Sequence, residues 1–190
     1  MVESLAPTTG LTFPRSKGEL QELGLHTTWL TIETLLEAWT GNYSPDWSVL
    51  NGANVLDIGA GSYLNGDHGA PWFARVCAVN GARVVVTDIL PQSEVDIKLF
   101  EAIIDEDIIP PVLAGQFAQL PQLQGRTFDI IHSMNLVGFN PDPRLEGALN
   151  NLGVRLSEFE ESLVRQTRAL LNTGGVMYLG QLYGGVYRKS

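Results

Sequence analysis

Short unbroken apolar runs alternate along the chain with segments whose apolar residues recur at helical spacing. The runs at residues 55–58, 83–87 and 128–132 are too short and too evenly apolar for amphipathic helices, which is typical of buried parallel strands. Between the first two runs, residues 72–80 carry apolar side chains at helical spacing and are followed by Gly81, a typical helix end. The pattern therefore predicts a strand, a helix and a second strand in succession.

The same periodicity predicts the elements on either side of this unit. Serine and glutamate three positions apart, at 16 and 19 and again at 157 and 160, indicate capped helix starts. Two glycines at 174–175 predict a turn into the last strand. The further predicted elements are helices over 16–24, 27–40, 91–105 and 156–171, a third strand at 112–114 and a fifth strand at 176–179.

The first predicted strand leads into a glycine turn, and the second ends in an acid. Gly59 and Gly61 flank Ala60 directly after the first strand, and glycines there allow positive φ and a close approach of the backbone to a ligand. Asp88 follows the second strand, where a carboxylate accepts hydrogen bonds from the two hydroxyls of a ribose. These two strand ends together predict a nucleotide-type cofactor site.

Two details separate this turn from a nicotinamide-dinucleotide fingerprint. A third glycine belongs three residues after the second, and Leu64 stands there. Asp57 lies within the first strand, two residues before the turn. The first glycine and Asp88 are 88 − 59 = 29 residues apart, against about 20 in the fingerprint. The excess falls at residues 62–70, which we expect to form a lid over the cofactor.

The pattern D-x-G-x-G at 57–61, followed by an acid at the next strand end, resembles the class I S-adenosylmethionine-dependent methyltransferases. In that family the glycine turn contacts the methionine part of the cofactor. The runs F-D-I-I at 128–131 and G-G-V-M-Y-L at 174–179 also match, so the resemblance covers residues 54–179. It implies an α/β fold, a three-layer Rossmann-like sandwich whose mainly parallel sheet has the order 3-2-1-4-5. The chain after residue 179 is too short for the family's remaining elements, so we expect a sheet truncated after the fifth strand.

The resemblance also implies which residues bind the expected cofactor, S-adenosylmethionine. Gln116 stands where the family has an acid that contacts the adenine amino group, and its amide carbonyl keeps an acceptor there. Phe117 beside it is expected to lie against the adenine face. The full expected set is Asp57, Gly59, Ala60, Gly61, Asp88, Ile89, Gln116, Phe117 and Ser133.

Methyl transfer from a sulfonium needs a nucleophile held in line with the methyl group, so positioning supplies most of the acceleration and no fixed triad is required. His132 is the candidate base, because it ends the fourth strand and an imidazole titrates near neutrality. The alternative is a structural histidine that is hydrogen-bonded at a strand end. His68, in the inserted loop, fits a solvated residue better than a base. No spacing of histidines and carboxylates selects a metal ion.

Composition narrows the class of protein. The single cysteine, Cys77, argues against a disulfide framework and favours a reducing cytoplasm. No apolar run approaches the ~18 residues of a membrane helix. Twelve Lys and Arg residues stand against 21 acids, a net charge of −9, which disfavours a nucleic-acid substrate because phosphate binding normally rests on a basic surface.

The 190 residues fit one methyltransferase-like domain. We expect an N-terminal helical cap over 1–50, a cofactor-binding core over 54–179 and a tail over 180–190. The N-terminal helices either cover the substrate side of the pocket, as is common in the resembled family, or simply pack on the sheet. An unprotected last strand invites pairing, so residues 181–187 are expected to form an edge strand or a homodimer contact.

These observations favour an S-adenosylmethionine-dependent methyltransferase that acts on a small molecule or a protein side chain, with an oxygen acceptor preferred. The alternative is a non-catalytic protein of the same fold that binds S-adenosylmethionine or S-adenosylhomocysteine. Gln116 in place of an acid, the missing terminal strands and the weak candidate base all favour that alternative. A nicotinamide-dependent oxidoreductase is disfavoured by Leu64 and by the absence of a Tyr-x-x-x-Lys pair.

Overall fold

A computed structural model describes residues 13–62, 70–104, 107–133, 143–180 and 185–190. In these residues the strands form one six-stranded sheet with helices on both faces. The strands are β1 (Asn54–Ile58), β2 (Arg83–Thr87), β3 (Ala102–Ile104), β4 (Phe128–Ser133), β5 (Leu171–Leu179) and β6 (Tyr187–Arg188). The helices are α1 (Lys17–Glu22), α2 (His26–Thr40), α3 (Trp72–Val79), α4 (Glu94–Leu99), α5 (Ile109–Leu113), α6 (Pro143–Asn151) and α7 (Leu156–Leu170). Two short 3₁₀ turns lie at Trp47–Leu50 and Phe117–Gln119.

The strand order is β3-β2-β1-β4-β5-β6, with every neighbouring pair parallel except β5 and β6. The chain runs outward from β1 through β2 to β3 and then returns to place β4 on the other side of β1. In open α/β sheets this reversal creates a crevice at the carboxyl ends of the two central strands, where ligands bind. The expected Rossmann-like fold is confirmed, with one strand more than the predicted order.

Strand periodicity divides the core between the two faces of the sheet. Val55, Ile130 and Val176 share one apolar cluster with α2 and α3, whereas Leu56 and Ile131 belong to the opposite cluster, which includes α5 and α7. Helix α2 contributes the buried residues Ile32, Leu35 and Leu36 to the first cluster. The N-terminal helix α2 therefore packs on the sheet, which is the simpler of the two expectations.

Helix ends follow the predicted capping in the N-terminal part of the chain. Ser16 Oγ accepts the N–H of Glu19 at 3.4 Å at the start of α1. Gly41 ends α2 in the left-handed region, with φ of 75°, a conformation that favours glycine. The predicted capping at Ser157 is wrong, because α7 begins at Leu156 behind an extended Arg155 whose side chain makes no capping bond.

The third strand is not where the pattern placed it. Residues 102–104 form β3 within the predicted helix 91–105, and the predicted strand at 112–114 lies mostly in α5. Helix α4 stops early because the chain turns extended at Phe100 and the N–H of Glu101 donates to Val84 O of β2 at 2.9 Å. Short apolar runs do not distinguish strand from buried helix, and prolines fit the first turn of a helix such as α5.

The sheet also continues past the fifth strand. The pairing of β4 with β5 jumps from Phe128 opposite Leu171 to Ile130 opposite Val176, so the glycine turn forms a bulge within β5. Beyond it, Tyr187 of β6 pairs antiparallel with Met177. The expected truncation is therefore wrong. Of the segment 181–187 proposed as an edge strand or dimer contact, 181–184 lie outside the described residues.

Candidate functional site

The tips of β1 and β2 are joined through the glycine turn. Gly59 and Gly61 have φ of 65° and 96°, in the left-handed region that favours glycine. The N–H of Gly59 donates to Thr87 Oγ1 at 3.2 Å, and the N–H of Ala60 donates to Thr87 O at 3.0 Å. The turn predicted from the two glycines is thus held against the end of β2.

Asp88 holds this turn as well as ending the strand. Its Oδ2 accepts the N–H of Gly61 at 2.9 Å, and its Oδ1 accepts the N–H of Leu90 at 2.8 Å. Ile89, also predicted for the site, is 49% exposed beside it. The two strand ends predicted to share a cofactor are therefore in direct contact.

Two further side chains lock the turn to the segment after β2. Gln92 Nε2 donates to Gly61 O at 2.8 Å, and Ser62 Oγ donates to Pro91 O at 2.6 Å. Gly61 is therefore held through its N–H by Asp88 and through its carbonyl by Gln92. Sequence reasoning missed both side chains, because a loop segment has no periodicity that marks which residues face each other.

Asp57 and His132 meet across β1 and β4 on the face that α3 covers. The two residues are opposite in register, and His132 Nδ1 lies 2.7 Å from Asp57 Oδ1. Because a carboxylate only accepts hydrogen bonds, Nδ1 carries the hydrogen. Phe73 of α3 stacks on the imidazole with 3.8 Å between ring centroids, and Tyr178 of β5 lies nearly parallel at 6.2 Å. Both members of the pair are buried, with 1% and 5% of their surface exposed.

Near the carboxyl ends of these two strands, both faces of the sheet carry buried polar atoms without a partner among the described residues. Within the described part of the chain, Asp57 Oδ2, His132 Nε2 and Ser133 Oγ make no hydrogen bond. Each such atom costs about 1–3 kcal/mol, so natural proteins rarely place several together without a use for them. A polar ligand at the carboxyl ends of β1 and β4 is one such use.

The lone cysteine lies beneath the same carboxylate. Burial raises the pKa of the Cys77 thiol well above its ordinary value of 9.0, and the negative charge of Asp57 raises that pKa further. Cys77 is therefore a protonated, buried thiol and does not provide a nucleophile.

The residues predicted for the adenine do not lie at a strand end. Gln116 is exposed but follows α5 rather than a strand, so the argument for its role is lost. Phe117 is 0% exposed and its N–H donates to Gln166 Oε1 at 2.7 Å. A ring with no exposed surface cannot lie against adenine, so this prediction is wrong. The described acid after β3 is Asp107, which is exposed and whose Oδ1 accepts the N–H of Ile109 at 2.9 Å.

Three other expectations concern the lid, a metal and the membrane. Of the predicted lid at 62–70, residues 63–69, with His68, lie outside the described residues. The described residues contain no group of three or more His, Cys, Asp or Glu side chains that could hold a metal ion. In the same part of the chain, no helix combines the length and the apolar character that crossing a membrane requires.

The solved structures similar to this chain include two methyltransferases. One is the T. thermophilus 16S rRNA methyltransferase RsmC in complex with AdoMet and guanosine, with 21% identity over 90% of this chain and a TM-score of 0.48. This chain spans only 35% of that protein's length. The other is a TehB-like SAM-dependent methyltransferase from Corynebacterium glutamicum, with 17% identity, 87% of this chain and 78% of the other covered, and a TM-score of 0.40. No family model and no curated protein matches the chain.

The charge argument against a nucleic-acid substrate needs correction. RsmC, one of the similar structures, is an rRNA methyltransferase, which contradicts the expectation from the net charge of −9 that a nucleic-acid substrate is unlikely. Net charge describes the whole chain, whereas a nucleic acid is contacted by a local surface.

Proposed function

We propose that this chain is an S-adenosylmethionine-dependent methyltransferase. The observation that carries the proposal is the hydrogen bond between Gly61 N–H and Asp88 Oδ2, which joins a glycine turn to an acid at adjoining strand tips. Such a pairing brings bare backbone and a hydroxyl acceptor to the one edge where α/β sheets bind ligands. The unpartnered Asp57 Oδ2, two residues before the turn, adds a buried anionic acceptor.

The residues present fit this cofactor. Asp88 accepts the ribose hydroxyls, and the turn at Gly61 lies along the methionine part. Asp57 Oδ2, without a partner among the described residues, suits the ammonium of an amino acid. We assign the adenine side to Asp107 instead of Gln116, since Asp107 follows the strand next to β2.

When bound, S-adenosylmethionine supplies a methyl group on a positively charged sulfur, which is already a good leaving group. The protein's part is then to hold the acceptor in line with that methyl and to exclude water. This function does not require a base. The preference for an oxygen acceptor on a small molecule or protein depends on His132 as a base and stays a prediction.

Calorimetry with S-adenosylmethionine, S-adenosylhomocysteine and NAD tests the cofactor. We expect the two adenosyl ligands to bind and NAD not to bind. Asp88→Asn should lower the affinity for both adenosyl ligands by about tenfold or more, because hydrogen bonds to a charged acceptor are lost. Asp46→Asn, the same change at an exposed acid on the 3₁₀ turn before β1, is the matched control. Unchanged affinity in Asp88→Asn, or preferential binding of NAD, would contradict the proposal.

Methyl release separates an enzyme from the non-catalytic alternative. Formation of S-adenosylhomocysteine should be followed over a panel of phenols, carboxylates, amines and guanosine-containing RNA. Turnover with one acceptor class supports the enzyme and names its substrate chemistry. Tight cofactor binding with no turnover on the panel favours the binding protein. The continued sheet and the displaced Gln116 remove two of the three features that had favoured it, and the weak candidate base remains.

A further inference from the structure

The imidazole of His132 is held by one hydrogen bond and by two neighbouring aromatic rings. Its Nδ1 bonds Asp57 Oδ1 at 2.7 Å, Phe73 stacks on one ring plane at 3.8 Å, and Tyr178 runs nearly parallel, 14° from the ring plane. Only 5% of the residue is exposed. The ring is therefore fixed against α3, and its Nδ1 is committed to Asp57.

The carboxylate of Asp57 has one oxygen engaged and one open. Oδ1 accepts from His132, whereas Oδ2 is buried and has no partner among the residues that the structure describes. A carboxylate held at one oxygen by a fixed donor cannot rotate freely, so the direction of its second oxygen is set. Asp57 is also directly before the segment Ile58–Gly59 that opens the glycine turn.

We propose that His132 is a positioning residue for ligand binding: it fixes the Asp57 carboxylate so that Oδ2 receives the ammonium group of an amino-acid-bearing ligand. The proposal rests on the proposed function, in which that ammonium belongs to the methionine end of the cofactor. An ammonium donates a charge-assisted hydrogen bond, and it supplies the positive charge that a buried carboxylate lacks here. His132 thereby acts through Asp57 and not on the methyl acceptor.

The two roles of His132 separate in binding experiments that need no known substrate. The ligands are S-adenosylhomocysteine, which carries the amino-acid end, and 5′-methylthioadenosine, which lacks it. His132→Phe keeps an aromatic ring against Phe73 but removes the donor to Asp57. We expect this variant to lower the affinity for S-adenosylhomocysteine by about tenfold or more. Its affinity for 5′-methylthioadenosine should stay within about threefold of the wild-type value.

His132→Asn is the matched control, because its amide nitrogen takes the place of Nδ1 and keeps the donor. We expect it to bind both ligands nearly as wild type does, although it has no basic nitrogen. His132→Gln, whose amide lies one bond farther out, should behave like His132→Phe and carries the test where the phenylalanine variant fails to fold. A double-mutant cycle with Asp57→Asn should show that the His132→Phe effect disappears once the carboxylate is gone.

The outcomes are distinct. Normal S-adenosylhomocysteine affinity in both His132→Phe and His132→Gln overturns the positioning role, and so does an equal loss for the two ligands. Loss of turnover in His132→Asn with unchanged cofactor affinity also overturns it and supports a base. If wild-type protein binds neither S-adenosylmethionine nor S-adenosylhomocysteine, the proposed function fails first, and the positioning role fails with it.

Discussion

Two buried carboxylates near α3 differ in how completely they are partnered. Oδ1 of Asp96 accepts a hydrogen bond from Arg75 Nε at 2.7 Å. Its Oδ2 accepts two, from Arg75 Nη2 at 2.8 Å and from Ser93 Oγ at 2.6 Å. Asp57 has only the bond from His132, and its second oxygen has no partner within the described ranges. Both residues are at most 1% exposed, so burial does not explain the difference.

The comparison separates a structural ion pair from a binding group. The Arg75 pair neutralises its carboxylate and fills both oxygens, and it fastens α4 to α3 behind the segment that follows β2. The Asp57 pair leaves one carboxylate oxygen able to accept a hydrogen bond at the ligand-binding edge of the sheet. Burying that oxygen without a partner lowers the stability of the fold. A carboxylate with both oxygens bonded to protein donors is structural, whereas one with an unpartnered oxygen can still accept a donor from a ligand.

Removing Arg75 should have the largest effect on stability. Arg75→Met leaves the Asp96 carboxylate buried without a counter-charge, and such a break costs about 3–5 kcal/mol. The free energy of unfolding in urea measures it. Arg126→Met is the control, since its pair with Glu101 at 3.2 Å is partly exposed and pairs of that kind contribute about 0–1 kcal/mol. Equal small effects in both variants would show that the buried pair is not structural.

Alkaline pH should have the next largest effect, through Cys77. Burial raises the pKa of Cys77 in the folded chain, so the stability it contributes is complete below the unfolded value of 9.0 and is lost as pH rises toward the folded pKa. Relative to Cys77→Ala, the free energy of unfolding of the wild type should fall by up to about 1.4 kcal/mol for each pH unit above the unfolded pKa. Because the charge of Asp57 contributes to the raised pKa, the total loss should shrink in Asp57→Asn.

Urea unfolding of wild type and Cys77→Ala between about pH 8 and about pH 10 measures this. If the free energies of unfolding of the two proteins change in parallel with pH, the thiol ionises equally in the folded and unfolded states. Slow reaction of the native thiol with an aromatic disulfide reagent is the accompanying kinetic readout.

Neutralising the open carboxylate should have the smallest effect on stability. Asp57→Asn keeps an acceptor for His132 and replaces a charged oxygen, unpartnered among the described residues, by a neutral amide. The free energy of unfolding should therefore change by less than about 1 kcal/mol. Asp96→Asn, the matched change, leaves the Arg75 guanidinium buried without an opposite charge and should cost several times more. Affinity for S-adenosylmethionine should fall only in the first variant. Equal destabilisation by both would remove the distinction between the two carboxylates.

The part of the fold that the sequence predicted best is the part with the strongest local signals. Strands at 83–87 and 128–132 were found within one residue of their observed bounds, and so was the turn of Gly59 and Gly61. The third strand was missed because its three residues lie within a segment whose apolar spacing also suits a helix. That error moved the adenine residues to Gln116 and Phe117, away from the strand end.

The sequence by itself determined the central strands, the glycine turn and the acid after β2, because strand alternation and glycine conformation are properties of neighbouring residues. Only the tertiary structure decided that Asp57 bonds His132, that Arg75 closes on Asp96, and that Gly61 is held from both sides. Those pairs join residues that are 21 to 75 positions apart. Strand register and helix packing decide which of these residues meet. Whether a carboxylate can still accept a hydrogen bond from a ligand is therefore known only when its protein partners are known.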